Sequence, residues 1–255
     1  VAARDDEQGV LLLSQFTGTD EKQRLGVTFN YAHSNIDARD RVRSLVGLEQ
    51  NTGSIRSNTI GLGGYYTQIA QNGSYFDAVA QINHLTNKYN DSYGGKSTQH
   101  GWQFGLSGEV GKPIANIKGW SVEPQAQLSY LYTQYNDFSD KYSNIAGENT
   151  HNLRGRLGLR LAKDTAIEGK SAQYYAIANV VHDFIKPKSV SLSDVTGTGS
   201  SHVTENFDRT YGEIGAGIQG SVSKSTDIYA DARYQHSFKG EKEGAQFNVG
   251  VKVSF

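Results

Sequence analysis

The sequence predicts an all-β chain: a transmembrane, antiparallel, up-and-down β-barrel of twelve strands when intact, about eleven of them visible here. Three observations predict it. Polarity alternates with period two in segment after segment, the segments are long, and the connections between them alternate in length.

The C-terminal segment shows the alternation most plainly. In "FNVGVKVSF", Phe247, Val249, Val251, Val253 and Phe255 share one parity, and Asn248, Gly250, Lys252 and Ser254 the other. Successive strand side chains point to opposite faces, so this strand is apolar on one side and wet on the other. In "GWQFGLSGEVG" (101–111), Trp102, Phe104, Leu106 and Val110 oppose Gln103, Ser107 and Glu109. In 119–132, Trp120, Val122, Pro124, Ala126, Leu128, Tyr130 and Tyr132 oppose Ser121, Glu123, Gln125, Gln127 and Ser129. In 152–162, Leu153, Leu157, Leu159 and Leu161 oppose Arg154, Arg156 and Arg160. The same pattern recurs in 24–34, 58–68, 75–85, 211–222, 227–237 and 245–255, and less cleanly in 8–17 and 173–184. These segments exceed the globular mode of about 5–6 residues and suit a tilted membrane crossing of about 9–11.

The connections alternate. Links at 35–56, 88–98, 136–149, 186–208 and 239–243 are rich in polar residues, whereas 70–73 ("AQNG") and 223–226 ("SKST") are tight, with 112–118 and 163–172 on the same side as the tight ones. Membrane barrels carry short turns on one rim and long loops on the other, a contrast that a soluble sandwich does not predict. On this topology Trp102 lies near the outer end of its strand and Trp120 near the inner end of the next, one for each interfacial girdle. Single-chain bacterial barrels have even strand numbers, so residues 1–7, with "VAAR" at 1–4, are assigned to a linker or to the remnant of a first strand. Residues 38–49, "ARDRVRSLVGLE", carry a short amphipathic helical pattern within a loop. One barrel domain accounts for residues 1–255.

Composition bounds the function. No apolar run approaches the roughly 20 residues of a membrane helix, and a net charge of −1 argues against nucleic acid as a partner. The 255 residues contain no Cys and no Met, which excludes thiolate metal sites and suggests a mature or excised portion of a longer protein. The chain holds 29 Gly and 15 Tyr but only 3 Pro. "GAGIQG" (215–220) matches a dinucleotide-loop pattern, and "NDSYGGKS" (90–97) nearly matches a phosphate-binding loop. Neither is followed by a helix, so both read as strand and loop. The histidines at 33, 84, 100, 151, 182, 202 and 236 scatter without metal-ligand spacing, and no metal or other cofactor is expected.

On the wet face, Glu109, Glu123, Arg154, Arg156, Arg160, Glu213, Asp231 and Arg233 form an expected lumenal charge network, acid and Arg compensating one another across strands.

The order "GWQFGLSGEVGKPI", "GWSVEPQAQLSYLY", "NDFSD", "LRGRLGLRL" resembles the C-terminal translocator domain of pertactin-like (type V) autotransporters. "YFDAVAQINH" (75–84), "KPKSVSLSDV" (186–195), "YGEIGAGIQG" (211–220), "DIYADARYQ" (227–235) and the terminal "VGVKVSF" extend the resemblance over about 55–255, while 1–54 match poorly. It implies an outer-membrane barrel with loops at the cell surface, which anchors an upstream passenger and exports it through a polar pore holding a linker helix; since one chain supplies nearly a full barrel, a monomer is expected. It also implies assembly by periplasmic chaperones and the barrel-assembly machinery, with Phe247, Val249, Val251, Val253 and Phe255 as the assembly signal. Some members of the family release the passenger inside the barrel. By that resemblance the inward acids Asp77, Glu109 and Glu123 are the candidates for self-cleavage, against the reading in which they pair with arginines. A free-standing porin or adhesin acting through its loops is the alternative, and a rim-located barrel hydrolase a third.

Overall fold

A computed structural model describes residues 2–8, 16–17, 23–39, 51–91, 94–139, 143–147, 149–167, 169–186, 190–194, 200–203, 208–223, 226–239 and 243–253. The strands in chain order are β1 (Ala2–Gln8), β2 (Phe16–Thr17), β3 (Gln23–Arg39), β4 (Asn51–Ile69), β5 (Tyr75–Asp91) and β6 (Lys96–Gly111). There follow β7 (Ala115–Ile117), β8 (Trp120–Tyr135), β9 (Phe138–Ser139), β10 (Ser143–Ile145), β11 (Asn149–Ile167) and β12 (Lys170–Asp183). The last are β13 (Val190–Asp194), β14 (Ser200–Val203), β15 (Thr210–Ser223), β16 (Thr226–Ser237) and β17 (Glu243–Val253).

One antiparallel sheet runs β1-β3-β4-β5-β6-β8-β11-β12-β15-β16-β17, each long strand pairing with the next in the chain, and it curls into a half-barrel. β1 and β17 end the path, and no ladder joins them among the described residues. Ala2–Gln8, expected as a linker or a strand remnant, lies along β3 (Ala2↔Arg39 to Gln8↔His33) on the edge where Phe16 pairs with Leu25.

The strands are longer than the polarity pattern alone marks. β11 and β12 continue to Ile167 and from Lys170, so the link expected over 163–172 shrinks to residues 168–169. β5 and β6 likewise consume most of 88–98, and Ala38–Arg39 of the expected loop helix end β3; the remainder of that helix lies outside the described residues. The alternation of links survives except between β5 and β6, where the outer link shrinks to residues 92–95. The inner end, where they are short, has a turn at Ala70–Ser74 and a hairpin at 112–119. In that hairpin Lys118 (φ 52°) and Gly119 (φ 84°) are both left-handed between Ile117 and Trp120, the primed turn that suits strand twist. At the outer end the longer links fold on themselves: β14-β13-β10-β9 forms a second, four-stranded sheet, in which β10 of one link pairs with β13 of another.

Burial inverts the globular pattern. Asn83, Gln99, Thr133, Asn179, Glu213 and Ser237 are buried, whereas Leu62, Leu106, Leu128, Leu157, Ile214, Phe247 and Val249 are exposed, the last at 83%. The sheet therefore keeps its polar face inside and turns a continuous apolar face outward. An exposed apolar area of this extent has to be covered by something other than water. Hydrocarbon fits, since the strands between β1 and β17 satisfy one another's backbone groups across the band.

A polar lumen and its candidate functional site

The inward face of β5, β6, β8, β11, β12, β15 and β16 carries a connected polar network beside an open cavity of about 500 Å³. Arg156 on β11 is its hub. Its Nη2 donates to Glu109 Oε2 on β6 at 2.6 Å, its Nε to Gln127 Oε1 at 3.0 Å, and its Nη1 to Gln125 Oε1 at 3.3 Å and Asn179 Oδ1 at 3.2 Å. The second oxygen of Glu109 accepts from the Tyr75 hydroxyl at 2.7 Å, and Tyr75 accepts from Gln125 Nε2 at 2.9 Å. Charge-assisted, multiply bonded pairs of this kind are what make a half-buried ion pair tolerable.

The network continues around the wall. Asn179 Nδ2 donates to Glu213 Oε1 (2.7 Å), Gln235 Nε2 to Glu213 Oε2 (2.9 Å), and Arg233 lies 3.7 Å from Glu213. Arg233 Nε also donates to Asp231 at 3.1 Å, and Asn248 on β17 reaches the same oxygen at 2.9 Å.

The residues singled out from sequence fall into four groups. Glu109 with Arg156, and Glu213 with Asp231 and Arg233, are brought together. Glu123 and Arg160 sit directly opposite in the β8–β11 ladder without an ion pair; Glu123 accepts from Gln125 at 2.8 Å, and Arg160 turns to Gln173 Oε1 (2.5 Å) and the Tyr175 ring (5.0 Å). Arg154 pairs with an acid that the sequence reading missed, Asp183, through a two-bond fork of 2.6 and 3.1 Å. Asp77 lies opposite Glu109 on the next strand, bonded to Thr67, with its Oδ1 buried and unpartnered. The neutral members Tyr75, Gln125, Gln127, Gln173, Asn179 and Gln235 were also missed, although inward parity on the recognised strands marks every one.

Trp102 faces outward with His84 edge-on at 5.0 Å, and Trp120 lies toward the other end with Lys163 Nζ 5.8 Å from its ring. Phe247, Val249 and Val251 face outward on β17, Val253 ends the strand, and Phe255 lies beyond the described residues. No group of His, Cys, Asp or Glu among the described residues could hold a metal.

The comparisons agree with this geometry. The family model described as "Autotransporter beta-domain" matches residues 6–233. The chain is 30% identical over 226 residues to the adhesin BmaC autotransporter of Brucella suis, covering 84% of this chain and 6% of that protein. It is 30% identical over 213 residues to the pertactin autotransporter of Bordetella parapertussis, covering 80% and 22%. The chain thus spans less than a quarter of these relatives' length. Among solved structures, the translocator domain of NalP from Neisseria meningitidis matches with a TM-score of 0.70 at 18% identity, over 93% of this chain and 76% of that one. The transport unit of AIDA-I from Escherichia coli matches with 0.66 at 15%, over 99% and 82%. With the family model matching residues 6–233 and relatives at 30% identity, this sheet with a polar inside and an apolar outside belongs to the autotransporter β-domain family.

Proposed function

We propose that this domain sits in the bacterial outer membrane, holds an upstream passenger there, and lets it reach the cell surface through the polar lumen. The observation that carries the reading is the inverted burial: hydrogen-bonded Glu, Arg, Gln and Asn inside, Leu, Val, Ile and Phe outside. Polar side chains that satisfy one another keep the channel wall hydrated and open to a passing hydrophilic segment. A linker helix of the passenger is the expected occupant, the barrel-assembly machinery and periplasmic chaperones the expected partners during insertion, and a monomer the expected state.

Pulse-labelling the native precursor and blotting outer-membrane fractions tests this. A species far larger than 27.9 kDa, persisting or chasing to a membrane-held fragment, supports the reading. A product near 27.9 kDa at every time point sinks it and favours the porin or adhesin alternative.

Release of the passenger inside the lumen is a second proposal, on Asp77, Glu109 and Glu123. Glu109 is engaged by Arg156 and Tyr75 and Glu123 by Gln125, whereas Asp77 keeps one buried oxygen without a donor. Asp77 is therefore the group most available to orient an incoming backbone or water. Asp77→Asn should abolish processing of a passenger-bearing precursor while leaving insertion intact. Unchanged processing in Asp77→Asn, Glu109→Gln and Glu123→Gln alike would remove the proposal.

A further inference from the structure

The outward face of β4, β5 and β6 is graded from apolar to cationic toward the outer end. Across the ladders, Leu62, Ile82 and Phe104 form one row, and Ile60, His84 and Trp102 the next. Then come Asn58, Thr86 and His100, followed by Arg56, Lys88 and Thr98, and last Ser54, Asn90 and Lys96. Rows two residues apart lie about 7 Å apart along a strand, so this gradient spans a lipid interface and little more.

Two features of the block are unusual for a chain of net charge −1. No Asp or Glu occupies any outward position from Ser54 to Asn58, His84 to Asn90 or Lys96 to Trp102. Arg56 and Lys88 stand directly opposite each other, both exposed, and like charges in register repel unless an anion lies between them. Among the described residues no carboxylate comes within ion-pair distance of Arg56, Lys88 or Lys96; Asp37 on β3 is the acid across the adjoining ladder and makes no such pair. The outer ends of other strands differ, with Asp208 and Glu243 placed at the rim.

We propose that Arg56, Lys88 and Lys96 bind the phosphate groups of an anionic glycolipid of the outer leaflet, its acyl chains lying on Ile60, Leu62, Ile82 and Phe104. The inference rests on the outer-membrane reading and adds an annular partner to it. Charge complementarity gives the phosphate, and the unbroken apolar face below the same side chains gives the lipid rather than a free anion. Trp102 and His84 sit at the level where an amphipathic ring separates hydrocarbon from headgroup. Thr98 and His100 supply further hydrogen-bond donors beside the cations.

The test reconstitutes the 255-residue chain in phosphatidylcholine nanodiscs doped with bisphosphorylated lipid A and counts retained lipid by native mass spectrometry. Enrichment of lipid A over phosphatidylcholine by about ten-fold or more is expected. It should vanish in the Arg56→Gln/Lys88→Gln/Lys96→Gln variant and persist in Lys112→Gln/Lys118→Gln, which alters the inner end. Equal retention by the triple variant, equal retention of dephosphorylated lipid A, or displacement by millimolar inorganic phosphate would each overturn the assignment. Heat-modifiable gel migration reports insertion separately. A wild-type chain that does not insert refutes the barrel reading itself, whereas an inserted chain without lipid preference refutes only the site.

Discussion

Arg156 Nη2 lies 2.6 Å from Glu109 Oε2 although a whole strand, β8, separates β11 from β6. The guanidinium spans it by lying over Gln127 and Gln125, each of which accepts one of its bonds. One side chain thereby ties three strands of the wall, with Asn179 extending the tie to β12. Arg156→Ala strands Glu109 in a half-buried site and should destabilise the barrel by about 2–3 kcal/mol. Glu109→Gln, which keeps one acceptor oxygen and the side chain's shape, should cost less. Urea-unfolding midpoints in detergent micelles check both, and equal midpoints for wild type and Arg156→Ala would show that the hub contributes nothing.

The inner wall also carries tyrosines laid over glycines of the neighbouring strand. Tyr75 covers Gly111, Tyr175 covers Gly217 and Tyr229 covers Gly250, so closely that a Cβ on any of these glycines would lie within 2.6 Å of the ring. Gly217→Ala would push Tyr175 from Arg160 and crowd Asp231, costing about 1–3 kcal/mol as overpacking. Gly108→Ala, on the outward face with Phe76 no nearer than 3.8 Å, should be silent. The pair separates a packing role from general glycine intolerance, and thermal midpoints of folded-band loss on gels read it out.

How much of this was legible follows from what alternation encodes. Period two tells which face a residue takes, so the inward placement of Glu109, Arg156 and Glu213 and the outward placement of Trp102 and Leu157 could be read from the string. It does not tell register. Arg154, Arg156 and Arg160 share a face, yet which acid each meets depends on strand offsets: Arg154 lies opposite Asp183, and Arg156 reaches Glu109 two strands away. Arg160, opposite Glu123, prefers Gln173 and Tyr175 because these lie on its other flank. The neutral partners, though inward by parity, were passed over for a further reason: a search for chemistry by charge does not stop at Gln125 or Tyr75. The histidines scatter in sequence, yet His33, His84, His100, His151, His182 and His236 all take outward parity toward the outer end, beside Tyr31, Trp102, Tyr132, Phe184 or Tyr234 in most cases. Strand direction brings them to one rim, and spacing along the chain hides it.

On β17 the two faces give opposite predictions for the same substitution. Val249 is 83% exposed at mid-strand, so Val249→Lys places a charge at the depth of hydrocarbon and should cost about 2–4 kcal/mol. Asn248→Lys faces inward beside Asp231 and exchanges a hydrogen bond for an ion pair, so it should be near neutral. Folding yields into phospholipid vesicles distinguish them. If Val249→Lys inserts as well as Asn248→Lys, that face does not meet lipid.

At the outer rim Asp208 fastens a long link to the neighbouring strand end. The Lys239 backbone N–H donates to its Oδ2 at 2.8 Å and the Thr210 N–H to its Oδ1 at 3.4 Å. The bond from Lys239, the largest cause, holds the Asp208 carboxyl below its ordinary value against the opposing loss of hydration, and the bond from Thr210 adds to it. A lowered native pKa means that the unfolded chain takes up the proton first as pH falls. The contribution is therefore complete above the unfolded value of about 3.9 and is lost as pH drops through the lower native one. The Lys239 amide proton shift should titrate with a midpoint below about 3.9, and Asp208→Asn should abolish that titration while leaving insertion unchanged. A midpoint at or above the ordinary aspartate value would mean that these amides do not stabilise the charged carboxylate in solution.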